Sequence, residues 1–241
     1  MEKVVTVILI LCLCLMPVQI QAKSVTSGTD DNGNKWTYNT STKTLTFTGN
    51  KAISDFTLNG HDREPSWYRW SDKTEHIVIE EGITGIGSEA FSSFTETKSI
   101  TMGESVKRIN RMAFWANVSL KEIKLSSNIT VIQGDALSGG RELETIKLPM
   151  RLRKMCSLSG QEKLEKIVMP DSITNMQSAM FSECKKLKYI KLPAKIKEIK
   201  SYDFAGCKKL KKLTIPQSVK TVSMSAFAGS GLKKIVLPEN V

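Results

Sequence analysis

Histidine and recognisable catalytic motifs are scarce in this 241-residue chain. Of its two histidines, His61 stands beside Asp62 in a polar stretch, and His76 comes just before a predicted strand. No Cys or His pair has the spacing of a zinc site. No serine or cysteine nucleophile motif, paired carboxylates or phosphate-binding glycine loop occurs either. The sequence therefore predicts a protein that is not an enzyme and uses no metal or cofactor.

Long apolar runs are equally rare, since only the N-terminus contains one. Residues 4–18 form that run after Lys3, and Ile20-Gln21-Ala22 follows it, ending in a small residue. This arrangement predicts a secretory signal peptide over residues 1–22. The run is too short for a membrane span and is interrupted by Pro17. We therefore expect a secreted or cell-surface protein with no transmembrane segment.

What the chain does contain is a repeat of about 23 residues that runs from Ile77 to Val241. We call the repeats coils one to eight, the eighth being partial. Other apolar columns follow six and nine residues after each start, and a large residue, usually Phe, follows after fourteen. Because one such block cannot bury its apolar face alone, the columns predict stacked coils. The starts are Ile77, Ile100, Ile123, Ile146, Ile167, Ile190, Leu213 and Ile235.

Each start opens an apolar-x-apolar triplet, such as Ile123-Lys124-Leu125. This alternation predicts a short strand whose middle residue points outward, so that the triplets form a parallel sheet on one face. Proline after the later triplets ends each strand and argues against a helical repeat. We predict a leucine-rich-repeat solenoid over residues 77–241, with little α-helix. Coil four lacks two residues, which we interpret as a tolerated deletion in a loop on its outer side.

Residues 23–76 do not follow the repeat and predict a β-rich N-terminal cap. Trp36 and Tyr38, then Leu45 and Phe47, alternate with polar residues on the two sides of a polar turn. Such a pattern is typical of a β-hairpin. A hairpin here would cover the apolar end of the first coil. We expect the aromatic stretch at residues 65–70 to complete this cap.

The coil that begins at Ile190 contains Ile190-Lys191-Leu192-Pro193, Ile196, Ile199, Phe204-Ala205-Gly206-Cys207, Leu210 and, at the next start, Leu213. In these residues it resembles the BspA-like, or Treponema pallidum-type, class of leucine-rich repeats. The preceding piece is also similar to one that often accompanies these repeats, with Trp36, residues 44–49 and Trp67-Tyr68. The resemblance implies a surface-exposed or secreted protein. Where roles in this class are known, it implies adhesion to host matrix proteins or to other cells.

Positive charge is concentrated near the C-terminus. The chain has a net charge of +11, and residues 183–241 hold fourteen Lys against four Asp or Glu, a net charge of +10. The residues immediately before and after each coil start point outward from the predicted sheet. On that face the candidate ligand-binding residues are Lys124, Lys147, Tyr189, Lys191 and Lys212.

This face predicts a binding protein whose partner is a host or neighbouring-cell protein or an acidic glycan. The alternative is that this face only keeps the protein soluble, and that the protein is a passive spacer or an assembly module. In the latter case copies would associate end to end through the open C-terminal coil. Nucleic acid is not an expected partner, since no Arg-rich or aromatic-interleaved patch occurs and the signal peptide indicates export.

Three cysteines remain beyond the signal peptide: Cys156, Cys184 and Cys207. The last two occupy the same position in successive repeats, so they lie on adjacent coils. Neighbouring strands are about 4.8 Å apart, a distance compatible with a disulfide. Equally, both can be small buried side chains in the column that holds Phe94 in coil one.

Overall fold

A computed structural model describes residues 25–56, 64–239 and 241 of the chain. The predicted signal peptide, residues 1–22, lies outside the described residues. Within them the structure is a β-solenoid with a single 3-10 turn at Tyr68–Trp70 and no α-helix. The strands are β1 Val25–Thr29, β2 Lys35–Asn39, β3 Thr44–Thr48, β4 His76–Ile79, β5 Gly85–Ile86, β6 Ser99–Met102, β7 Arg108–Ile109, β8 Glu122–Lys124, β9 Val131–Ile132, β10 Lys166–Val168, β11 Tyr189–Lys191, β12 Glu198–Ile199 and β13 Thr221–Val222.

The N-terminal cap is an antiparallel sheet of β1, β2 and β3. Its hairpin has the predicted alternation, since Trp36 pairs with Phe47 and all four predicted inward side chains are buried. Strand β1 was not apparent from the sequence. Strand β3 then pairs in parallel with β4, which places Leu45 beside Ile77. The hairpin prediction is thus confirmed, and the cap continues directly into the first coil.

An aromatic cluster joins the cap to the coils. Trp67 is buried and meets the Phe47 ring edge-on, with 4.9 Å between the ring centroids. Its indole Nε1 donates to the Ala90 carbonyl at 2.9 Å, so the buried indole N–H has a hydrogen-bond partner. The aromatic stretch at residues 65–70 therefore belongs to the cap, as the sequence predicts.

The coil starts form one parallel ladder, which we call the triplet ladder. It runs through β4, β6 and β8 with a register of one full repeat, so that Ile77, Ile100 and Ile123 are successive neighbours, and it resumes in β10 and β11. Strands β4 and β6 have four residues, because Glu80 after β4 still donates to Phe47 of the cap and Gly103 after β6 still donates to Ile79 of coil one. Pro170 and Pro193 cannot donate, and β10 and β11 have three residues each.

A second parallel ladder lies nine residues after each start, where the sequence showed only an apolar column. It joins β5, β7 and β9, continues as a bridge from Val131 to Lys154, and reappears in β12 and β13. Its strands are two residues long. Such short strands carry no alternation of their own, so sequence periodicity could not reveal them.

A third set of bonds, the turn ladder, lies beside the Phe column. In coil one the amides of Glu89, Phe91 and Ser93 donate to carbonyls of coil two, and later coils repeat the pattern. The rings stack along this column, with centroids 5.4 Å apart for Phe91–Phe114 and 5.7 Å for Phe204–Phe227. Residues on both sides of each Phe turn the chain with a left-handed backbone, such as Glu89 (φ 56°) and Ser93 (φ 61°).

Coil four interrupts these ladders. No backbone hydrogen bond joins residues 122–125 to residues 144–148, and none joins residues 135–139 to residues 156–160. Of the three ladders only the second connects coils three and four, although the Lys163 amide also donates to the Arg141 carbonyl at 3.3 Å. Each other junction from coil one to coil seven keeps at least two of the three ladders. Side chains replace part of the loss, because Gln161 Nε2 donates to the Leu137 carbonyl at 2.8 Å. We call this junction the seam.

Candidate binding surface

The outward face of the triplet ladder is polar because burial alternates along its strands. In β8 and β11 the middle residue is buried and the two flanking residues are exposed. Lys124, Tyr189 and Lys191 therefore point to solvent from strands. Lys147 and Lys212 are exposed as well, although they lie outside the strands.

A groove of about 660 Å³ opens on this face, across the seam. It brings together two of the predicted residues, Lys124 and Lys147, together with Arg151. Met150, which is 74% exposed, lines the groove as well, with Leu148 and Pro149. Met150 and Arg151 were missed from the sequence, and the only signal for them was that they belong to the shortened coil. The groove thus combines apolar and basic side chains.

The groove also has acidic residues, which limit its positive charge. Glu104 and Glu122 line it. Glu104 accepts bonds from the amide and hydroxyl of Ser127, at 2.8 and 2.6 Å, and these bonds lower the pKa of its carboxyl. Glu104 is therefore held as an anion within the groove, so a partner must fit a mixed pattern of charge and not a uniformly basic wall.

The other predicted residues lie elsewhere. The Lys166 ammonium sits 5.3 Å from the centre of the Tyr189 ring, across the β10–β11 pair. Lys191 Nζ lies 3.6 Å from a carboxylate oxygen of Asp171. Lys212 lines a separate groove of about 390 Å³ with Lys234. The five candidates therefore form three separate places and not one site.

The family model described as BspA type leucine rich repeat region matches residues 64–159 and 155–241, in six copies. The chain belongs to the BspA-type leucine-rich-repeat family. This confirms the resemblance seen in the coil at Ile190. Proteins of this type are typically protein-binding surface proteins built on a scaffold that is generally not enzymatic.

Solved structures of bacterial leucine-rich-repeat proteins share the fold. One from Bacteroides ovatus ATCC 8483 is 24% identical with a TM-score of 0.69, and the match covers 86% of this chain and 58% of that one. The leucine-rich-repeat protein of T. pallidum is 20% identical with a TM-score of 0.59, with 83% and 84% covered. The chain therefore spans a little over half the length of the B. ovatus protein. No curated protein matches it.

The BspA-type coils carry their charge in pairs that bridge neighbouring repeats. Lys98 pairs with Glu75 at 2.5 Å, and Lys188 pairs with Glu165 at 2.9 Å, each pair spanning one coil. Hydrogen bonds from Lys43 and Lys98 lower the pKa of Glu75 to about 2. The lysines and Glu165 are exposed and Glu75 is only partly buried, so solvent screening keeps the contribution of these pairs to stability small. Many lysines in the stretch between the turn ladder and the next triplet thus already have an acidic partner.

One position in the BspA-type coil, seventeen residues after the start, serves the turn ladder. Here Asn117 Nδ2 donates to the Phe91 carbonyl of the preceding coil at 2.8 Å. Cys184 and Cys207 occupy the same column, and their thiols lie 3.2 and 3.1 Å from the carbonyls of Leu158 and Phe181. Both are free cysteines. Burial raises the pKa of Cys207 to about 12, so this thiol is not a nucleophile near neutral pH.

Histidine and membrane predictions can be placed only in part. His76 Nδ1 lies 2.8 Å from the Ser99 hydroxyl across the triplet ladder, and His61 is outside the described residues. Among the described residues no helix is long and apolar enough to cross a bilayer.

Proposed function

We propose that this chain is a secreted or cell-surface, adhesin-like binding protein. Its outward sheet face would contact a macromolecule of the host or of a neighbouring cell, a protein or an acidic glycan. Membership of a family of typically protein-binding surface proteins supports this class of function. The predicted signal peptide supports export, because its run and small-residue end have the form of a secretory leader.

The observation that carries the proposal is the groove across the seam. Its volume of about 660 Å³ lies in the range of sites that hold a ligand or an anchoring side chain. Met150 provides an adaptable apolar contact, and Lys124, Lys147 and Arg151 line the same groove. A partner segment with an apolar side chain next to a carboxylate or sulfate would match this arrangement. The break in the triplet ladder leaves the space for it.

The test is to reverse the charge of the groove and measure binding to immobilised extracellular-matrix proteins. The variant Lys124→Glu/Lys147→Glu should bind at least tenfold more weakly to any matrix protein that the native protein binds. The matched control is Lys166→Glu/Lys191→Glu, which changes the net charge equally on the same face but outside both grooves. Equal binding by both variants and the native protein would remove the groove from the function.

A further inference from the structure

Six lysines near the C-terminus lie on one flank of the solenoid in two successive rows. We call them the lysine strip: Lys208, Lys209, Lys211, Lys212, Lys233 and Lys234. The flank leads from the turn ladder into the next triplet. In the first row Leu210 is fully buried and anchors the chain to the core, and the two lysines on each side of it are exposed. In the second row the half-buried Leu232 is followed by the exposed Lys233 and Lys234, so this row has lysines on one side only.

The lysine strip differs from the rest of the flank in having no compensating acids. In earlier coils Lys163 pairs with Glu142 and Lys185 with Glu162. Residues 204–238 contain seven Lys and no Asp or Glu. Among the described residues no carboxylate lies within the 4.0 Å ion-pair distance of any strip lysine. The positive charge here is therefore available to a ligand.

The rows are close enough to act together. Adjacent strands in a sheet are about 4.8 Å apart, so the two rows lie within about one Debye length at physiological salt. Such closely spaced like charges repel each other. A linear polyanion relieves this repulsion and releases its condensed counterions on binding.

A groove beside the strip indicates what kind of polyanion fits. It has a volume of about 390 Å³ and is lined by both rows, through Lys212 and Lys234. Thr214 and Gln217 line it as well, and they offer hydroxyl and amide groups to a ligand that carries hydroxyls. Residues 206–213 and 230–236 contain no Arg and no aromatic side chain. The strip therefore has no platform on which nucleic-acid bases could stack.

We propose that the lysine strip binds a linear sulfated polysaccharide, whose sulfates contact the two lysine rows while one sugar lies in the groove of Lys212 and Lys234. The proposal rests on the proposed function only in placing the protein at a cell surface where such glycans occur. The surface itself is separate from the groove of Lys124 and Lys147.

The test compares two variants of the full chain that lose the same number of charges. In the strip variant Lys208, Lys209, Lys211 and Lys212 are replaced by Gln. In the control Lys43, Lys98, Lys163 and Lys185, which already have carboxylate partners, are replaced by Gln. Binding of a heparin oligosaccharide is measured by titration calorimetry over a range of salt concentrations, with folding checked by circular dichroism.

The strip variant should bind on the order of a hundredfold more weakly, and its slope of log K against log salt should fall by roughly three, as expected for four lost contacts. The control should stay within about threefold of the native protein, since its lysines are already neutralised. Equal weakening of both variants would show that only net charge matters and would overturn the proposal. So would equally tight binding of desulfated heparin, or of single-stranded DNA.

A last measurement separates this proposal from the proposed function. The groove variant Lys124→Glu/Lys147→Glu should keep native heparin binding. If it loses heparin binding while the strip variant keeps it, the polysaccharide binds at the seam. The strip proposal then fails and the proposed function stands.

Discussion

Replacement of Asp203 by Asn should change how the stability of the protein depends on pH. Asp203 stands in the Phe turn of coil six, where coils one, two, three and seven have Ala, and it is completely buried. Its two carboxylate oxygens accept bonds from the backbone amides of Lys200 at 2.7 Å and Met180 at 3.2 Å. Desolvation by burial outweighs these bonds and raises the pKa of Asp203 from its ordinary 3.8 to about 6.

The sign of the effect follows from proton linkage. Between pH 3.8 and about 6 the folded protein holds a proton on Asp203 that the unfolded chain has released. The free energy of unfolding therefore falls as pH rises through this range. At about 1.4 kcal/mol for each pH unit between the two pKa values, Asp203 should contribute about 3 kcal/mol less at pH 7 than at pH 4.

The assay is urea unfolding of the native protein and Asp203→Asn at several values between pH 4 and pH 7. Taking the difference between the two proteins removes the surface carboxylates, such as Glu75 and Glu165, whose lowered pKa values act in the opposite direction. Loss of one amide bond should cost Asp203→Asn about 1 kcal/mol at low pH. A difference that is constant over the whole range would refute the reasoning, because the two amide bonds would then outweigh desolvation.

Three further predictions concern the coil itself. Gly229→Ala should cost about 1 kcal/mol from its left-handed backbone alone. Gly206→Ala should cost only a little more, because the atom that its Cβ would meet is the flexible carboxylate end of Glu183; in a Glu183→Ala background the two glycine variants should lower the melting temperature equally. Cys207→Val should lose about 1 kcal/mol of stability because it lacks the thiol hydrogen bond to the Phe181 carbonyl. Cys207→Asn should donate to that carbonyl through its side-chain amide, as Asn117 does to Phe91, and equal stability of the two variants would contradict this. In hydrogen exchange the amide of Lys147, which makes no backbone bond to coil three, should exchange faster than that of Thr101 at the same position of coil two, and equal protection would disprove the seam.

The repeat predicts most of the fold because its period is a direct consequence of stacking. A start at the same place in every repeat requires Ile77, Ile100 and Ile123 to be neighbours, and the register of the triplet ladder is the one predicted. The hairpin is equally well specified by the alternation of Trp36 and Tyr38 with polar residues. Both are local patterns that repeat or alternate, so one sequence is enough to detect them.

The binding surface is predicted less well, because it depends on which side chains meet between coils. The columns correctly place Lys124 and Lys191 on the outward face. They do not reveal that Asp171 lies close to Lys191, nor that the seam separates Lys147 from coil three. Coil four appeared to have only an outer-loop deletion. The structure shows no left-handed residue in that coil before Gly160, and the triplet ladder is broken at the same junction.

The seam also determines how the solenoid would carry a mechanical load. A pulling force directed along the stack passes from coil to coil through the backbone ladders, and at coils three and four only the second ladder is present to transmit it. Under tension the chain should therefore separate first into an N-terminal block that includes the cap and a C-terminal block that includes the lysine strip. The groove would be torn open before either block unfolds, so a partner bound across it would act as a clasp that raises the force required.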